Sequence, residues 1–300
     1  MNLTAQDIQT SAGPAHVIRG GTGEPAVFLH GGTPGVSPYA AGAHLWARAL
    51  PLFARDRTVI APDLPGSGKT KLTGDADYGI EGIARHTMAI IESLKLGPVH
   101  LVGHDTGGLA AIWLAFEAPH LVRSLVVTAC MQAAPTGDGF PNYTLAYVPN
   151  PKWSRASQAW VLERISFTHH QIDAPLLNAC VAAAEGDAHK GAVKLAADGG
   201  NERLFAPSVA RGKGRLYAAC RDKGVPVPIQ LIWGSHDPIT NVNQGMTLFK
   251  IVAPTQSVSH FHVINRAGNL PFHEEPGAFH HLAAGFMDGA PREAARLKAG

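Results

Sequence analysis

The chain is short of charge. Asp, Glu, Lys and Arg make up only 16% of its 300 residues, the formal net charge is +2, and no dense Lys/Arg run occurs. A surface for nucleic acid or for an anionic membrane is therefore not expected. Cysteine is scarce as well. Cys130, Cys180 and Cys220 form no C-x-x-C pair and cannot all pair with one another, which suits reduced, partly buried thiols and predicts a cytoplasmic protein. Long apolar runs are missing: the longest, "LAAIWLAF" at 109–116, is far below the ~20 residues that span a bilayer. The first twenty residues lack a basic stretch followed by an apolar one, so no signal peptide is expected. Low-complexity tracts and internal repeats are also lacking, which argues against disorder.

What is present is apolar bulk, 45% hydrophobic. That is enough to bury a large core, as one domain of α/β size or one such domain with an insertion. Near-continuous apolar runs ending in Gly, Asp or Pro recur at "PAVFLHGG" (25–32), "TVIAPDLPG" (58–66), "PVHLVGHD" (98–105), "SLVVTAC" (124–130), "VPIQLIWGSHD" (227–237) and "FHVINRAGN" (261–269). Such runs suit parallel strands buried on both faces. Stretches with apolar residues at helical spacing, such as 80–96, lie between the earlier ones. The alternation implies a doubly wound sheet. It breaks after residue 131, where Pro and Gly punctuate helical pieces to about Lys223. The predicted division is a core at 1–131, a helical cap at 132–223, and the rest of the core at 224–300.

Chemistry concentrates where strands end. Gly103-His104-Asp105-Thr106-Gly107 reads as a tight strand-to-helix turn whose central side chain points outward. The Thr106 amide then opens the helix and can stabilise negative charge. His30-Gly31-Gly32 ends an earlier strand, where amides of Gly31 and Gly32 could complete an oxyanion hole with that of Thr106. Asp237, in "LIWGSHDP", follows a strand and a glycine, as an orienting carboxylate should. "GSGKT" (66–70) lacks the earlier glycine of a phosphate loop, since Asp63 stands there. No spacing among the histidine pairs matches a metal site, and no cofactor is implied.

In order and spacing, "LHGGTPG", "VIAPDLPGSGKT", "LVGHDTGG", "LIWGSHDP" and "RAGNLPFHEEP" resemble the α/β-hydrolase fold over nearly the whole chain. The resemblance implies a mostly parallel eight-stranded sheet flanked by helices, with a helical cap between strands six and seven. It places Asp105 at the nucleophile and Asp237 at the acid position, with amides near Gly31, Gly32 and Thr106 in the oxyanion role. "GHD-x-GG" resembles the epoxide hydrolases most among members with an aspartate nucleophile. Thr106 departs from the Trp or Arg usual in dehalogenases, and "HGGTPG" resembles meta-cleavage-product C–C hydrolases. The family's histidine is replaced by Asn269.

A carboxylate attacks an electrophilic sp³ carbon without needing a base, being already ionised near neutrality. The ester it forms must be released by water activated by a general base, a task worth ~10²–10⁴-fold that asparagine cannot do. Three explanations stay open. Asn269 is an engineered replacement that traps the ester; another histidine among His30, His104, His236, His262 and His273 takes over; or the chemistry has left hydrolysis. The leading expectation is a hydrolase of epoxide-hydrolase type acting on a small, mostly apolar substrate. The alternative is a C–C or ester-hydrolase relative with lyase, decarboxylase or isomerase chemistry, or a silent ligand-binding protein. His30, His104, Tyr143, Tyr147, Trp153 and Tyr217 are candidates to line the substrate site, the tyrosines as proton donors to a leaving alkoxide. A homodimer is left open.

Overall fold

Six consecutive buried residues, Val99–His104, form the strand β5 around which the other layers are arranged. The computed structural model describes residues 2–135, 145 and 147–299, the last nine by backbone alone. Besides β5, the strands are β1 (Thr4–Thr10), β2 (Gly13–Gly20), β3 (Glu24–Leu29), β4 (Arg57–Pro62), β6 (Val122–Thr128), β7 (Ile229–Gly234) and β8 (Ser259–Ile264). They form one eight-stranded sheet in the order β1-β2-β4-β3-β5-β6-β7-β8. Only the pairings of β2, with β1 and with β4, are antiparallel. The mostly parallel eight-stranded sheet is as expected.

The central strands are apolar throughout because helices cover both sheet faces. On one side, α1 (Ile80–Ser93) and α2 (Asp105–Glu117) pack with Leu101, Leu125 and Leu231. On the other, Val102, Val126 and Ile232 meet a cluster built on Trp46, Phe53, Phe272 and Phe279. From residue 145 to β7 the described residues contain helices and turns but no strand. These helices are α3 (Arg155–Ile165), α4 (Ala174–Glu185), α5 (Asp187–Leu195) and α6 (Ala206–Ala219). Val161, Leu162, Ile165 and Leu176 of this segment join the Trp46 cluster. Leu216 of α6 joins the opposite one, so the segment grips the sheet domain from both sides.

Register determines which loops meet. Leu29 pairs with Gly103 and His104 with Thr128. Thr128 pairs with Ile232, and Gly234 with Ile264. The chain segments leaving β3, β5, β7 and β8 therefore all emerge at the carboxyl edge of the sheet, where open α/β sheets bind ligands.

Candidate active site

Asp105, directly after β5, is the first residue of α2 and has φ 45°. That left-handed conformation costs an L-residue ~1–2 kcal/mol, and the neighbouring glycines make it attainable. A Cβ on Gly103 would lie 2.5 Å from the Gly108 Cα, and one on Gly107 would lie 2.5 Å from the carbonyl oxygens of Leu29 and His30. Side chains there would push the helix off the strand and open the turn. The G-x-D-x-G-G pattern is thus a packing requirement that happens to present a carboxylate.

Burial is the main influence on that carboxylate and pushes its pKa up to about 6, while the backbone amides of Gly32, Thr106, Gln132 and Met131 oppose the rise. Those amides face the group, yet Oδ1 is buried with no partner in hydrogen-bond geometry. The contrast with other buried acids is informative. Asp63 accepts from the amides of Ala43 at 2.7 Å and Lys69 at 2.9 Å. Glu274 accepts from Phe167 N at 2.7 Å and Gly268 N at 2.8 Å. These acids fasten loops; Asp105 is held by none of that kind.

Asp237 and Asn269 form a pair. Asp237 Oδ1 accepts from the amides of Ile239 at 2.8 Å and Thr240 at 3.0 Å. Asn269 Nδ2 donates to both carboxylate oxygens, at 3.2 and 3.1 Å. Burial pushes Asp237 up to about 7; these donors pull it down, and the charge of Asp105 adds to the rise. Asn269 is held by its own amide, which donates to Ile165 O at 2.8 Å. Gly268 allows this contact, since a Cβ there would stand 2.2 Å from the same oxygen. Glu274, buried and pushed up to about 6 chiefly by that burial, ties the Gly268 amide to the Phe167 amide beyond α3.

The other residues predicted from the sequence are spread out. His30 is buried, its Nδ1 2.8 Å from Gly31 O and its Nε2 accepting from Leu64 N at 3.0 Å, so both nitrogens are committed to backbone. Gly31 turns its Cα toward the His104 ring; the amide facing Asp105 is that of Gly32, at φ 93°. His104 is fully buried against Phe272. Burial pushes it down to about 3 despite the adjacent Asn269, and neither ring nitrogen has a partner in hydrogen-bond geometry. Tyr147 is 80% exposed. Tyr217 donates to Ala133 O at 2.9 Å, and Trp153 donates to Ser37 O at 2.9 Å. Tyr143 lies outside the described residues.

No substitute base emerges from the remaining candidates. His236 is exposed, its ring tilted against that of Phe167. His262 stands beside His260 on β8, and His273 Nε2 lies 3.0 Å from Gln171 O. Two groups near Asp105 were not anticipated. Tyr39 is buried in the loop after β3; burial first, then the charges of Asp105, Cys180 and Asp237, pushes its phenol far up. Lys213, half-buried on α6, is pushed down by burial and held up in part by Cys130 and Asp105. Nothing in the sequence marks either residue. "GSGKT" proves to be scaffold: Gly68, at φ 53°, lies against the Asp63 carboxyl. Among the described residues, no group of three or more His, Cys, Asp and Glu could hold a metal ion. No described helix is long and apolar enough to cross a membrane.

A family model described as alpha/beta hydrolase fold matches residues 25–276. A 2-hydroxy-6-oxo-2,4-heptadienoate hydrolase of Pseudomonas putida is 39% identical over 107 residues, 36% of this chain and 37% of that one. A soluble epoxide hydrolase of Corynebacterium sp. is 30% identical over 154 residues, 47% of this chain and 49% of that one. The chain thus spans less than half the length of these curated relatives. A meta-cleavage product hydrolase from Pseudomonas fluorescens superposes with a TM-score of 0.74 at 20% identity, over 95% of this chain and 98% of that one.

Proposed function

The chain belongs to the alpha/beta hydrolase fold family, and on that premise we propose that it attacks small, mostly apolar electrophiles through the Asp105 carboxylate, epoxides above all. The observation that carries this reading is the state of Asp105. It is a half-buried acid on a strained turn, faced by four amides, with its buried Oδ1 free of any structural hydrogen bond. A buried oxygen without a partner costs ~1–3 kcal/mol, and such groups call for a functional explanation.

In the proposed step an Asp105 oxygen forms a C–O bond to the less hindered epoxide carbon. The ring C–O bond breaks, and its oxygen leaves as an alkoxide that takes up a proton. The Gly32 and Thr106 amides orient the carboxylate and share the charge of the carbonyl oxygen when water later attacks the ester. That second step lacks a base. The Asn269 amide is spent on Asp237 and has no usable proton affinity. The ester should therefore accumulate.

The test is intact-protein mass spectrometry after incubation with a styrene-type epoxide. One substrate mass should be gained, located on Asp105 by peptide mapping and absent in Asp105→Asn. A second reading draws on the charge coupling between the carboxylates: Asp105 raises Asp237, and two interacting acids can share acid and base roles without an imidazole. It predicts no adduct, but Asp105-dependent exchange of solvent deuterium into a carbonyl ligand.

A further inference from the structure

We infer that Cys130 is a positioning residue of the site: its thiol clamps the Asp105 turn and sets how far the carboxylate stands from the amides of the loop after β6. The inference deepens the nucleophile reading of Asp105 and rests on it. Cys130 Sγ donates to Asp105 O at 3.0 Å.

The clamp is built from both sides. Asp105 opens α2, and a helical carbonyl accepts from the amide four residues on, which leaves its second lone pair open. Cys130 takes it. The thiol can come this close because residue 108 is glycine: a Cβ there would stand 3.0 Å from Cys130 Sγ. On its own side Cys130 is fully buried and lies in a short turn that leaves β6 through Ala129, at φ 44°. The Ala129 amide donates to Ile232 O of β7 at 3.2 Å, and the Cys130 carbonyl accepts from the amides of Ala133 at 3.3 Å and Ala134 at 3.0 Å. Tyr217 of α6 donates to Ala133 O at 2.9 Å. Strand, turn and α6 thus hold the sulfur in place, and the sulfur holds Asp105.

What the clamp governs follows from chain order. Met131 and Gln132 come directly after the thiol, and their amides are two of the four that face the Asp105 carboxylate. With Cys130 tied to the Asp105 backbone, these amides stand one and two residues from the tie, so one contact fixes the nucleophile against two of its donors. Burial, then the charge of Asp105, pushes the thiol far up, so it stays protonated and keeps the hydrogen it donates. A cysteine that only filled space would need no donor here, since a free thiol packs as a small hydrophobe. The two roles part when the sulfur is exchanged for oxygen or removed.

The experiment compares the unaltered protein with Cys130→Ala and Cys130→Ser and reads the pH midpoint of Asp105 in two ways. One is the rate of alkylation by a styrene-type epoxide; the other is the carbon-13 NMR shift of its labelled carboxyl group, assigned by its loss in Asp105→Asn. Amides that donate to an ionised acid lower its midpoint. Without the thiol they loosen, so Cys130→Ala should raise the midpoint by roughly one pH unit and slow alkylation at the plateau about tenfold or more. Cys130→Ser keeps a donor and should return both toward the unaltered values. An unmoved midpoint in Cys130→Ala, or a serine protein that behaves like the alanine one, overturns the assignment. The S–H infrared stretch of Cys180→Ala/Cys220→Ala, in which Cys130 is the remaining cysteine, tests the contact with residue 130 intact: a band below the free-thiol position is expected, and one at that position overturns the clamp. If the unaltered protein gains no adduct while the NMR midpoint still shifts in Cys130→Ala and returns in Cys130→Ser, the nucleophile reading falls and the positioning role stands.

Discussion

Replacing Asn269 by histidine should convert a protein that stops at the ester into one that turns over. The backbone there is already fixed by the 2.8 Å bond from Asn269 N to Ile165 O and the close approach of Gly268. The new side chain would leave from the same point. Asp237 already directs both oxygens at position 269, so an imidazole N–H can take over from Nδ2 and leave the second ring nitrogen toward the ester. A general base contributes ~10²–10⁴-fold, or ~2.7–5.4 kcal/mol of barrier at 1.36 kcal/mol per tenfold. Opposing this, a larger ring beside buried His104 could cost stability of order 1–3 kcal/mol, which a domain of this size should tolerate.

The assay is a pulse of epoxide followed by a chase, with loss of adduct mass as the readout. Release from Asn269→His should be faster by the factor above and should rise with pH around the imidazole range, near ~6.5. In heavy-oxygen water the label should enter the Asp105 carboxyl group, because water attacks the ester carbonyl carbon. If folded, alkylated Asn269→His releases product no faster than the asparagine protein, the account of the missing base is wrong. If the unaltered protein has an activity that this change abolishes, the asparagine is itself part of the chemistry.

Three further outcomes follow from the geometry. Alkylation of Asp105 requires the ionised acid, so its rate should climb with pH to a plateau with a midpoint close to its raised value of about 6; a midpoint in the ordinary carboxylate range near ~3.9 would contradict its burial. Asp237→Asn should leave that midpoint nearly unmoved, since Asp237, raised to about 7, is still largely protonated where Asp105 ionises. Gly103→Ala puts a methyl 2.5 Å from the Gly108 Cα; it should lower stability by at least ~1–3 kcal/mol and slow alkylation, measured by urea unfolding and adduct formation. Glu274→Ala unpairs the buried amides of Gly268 and Phe167, each worth ~1–3 kcal/mol, and should loosen the Asn269 loop, visible as faster hydrogen exchange at those residues.

The sheet was legible because its central strands are buried on both faces and so read as unbroken apolar runs. The same property blurred their ends. The run at 98–105 continues past β5 to Asp105, and the run at 227–237 passes the end of β7 at Gly234. The placement of Asp105, Asp237 and Asn269 on the chain segments that leave β5, β7 and β8 was legible, because each lies within a few residues of a strand end. Tyr39, Lys213 and Glu274 were not assigned roles, since each owes its place to contacts across the fold. Gln158 holds the Tyr39 loop from 118 residues away in sequence, and Glu274 reaches Phe167 over 107. No local pattern encodes such meetings.

The two carboxylates at the sheet edge show how position and partner divide labour between identical groups. Asp237 is tied down: two backbone amides and the Asn269 amide converge on Oδ1, and Oδ2 accepts from Asn269 as well, so it is placed to hold a neighbour rather than to attack. Asp105 is half-buried, and its turn points it at amides that face it without closing on Oδ1. Replacing histidine by asparagine preserves the first role completely, since Asp237 still receives a donor, and removes only the capacity to accept a proton. Under the proposed mechanism, asparagine at 269 therefore bears on the second half-reaction and leaves the first untouched. Attack and release should separate in any experiment able to time them individually.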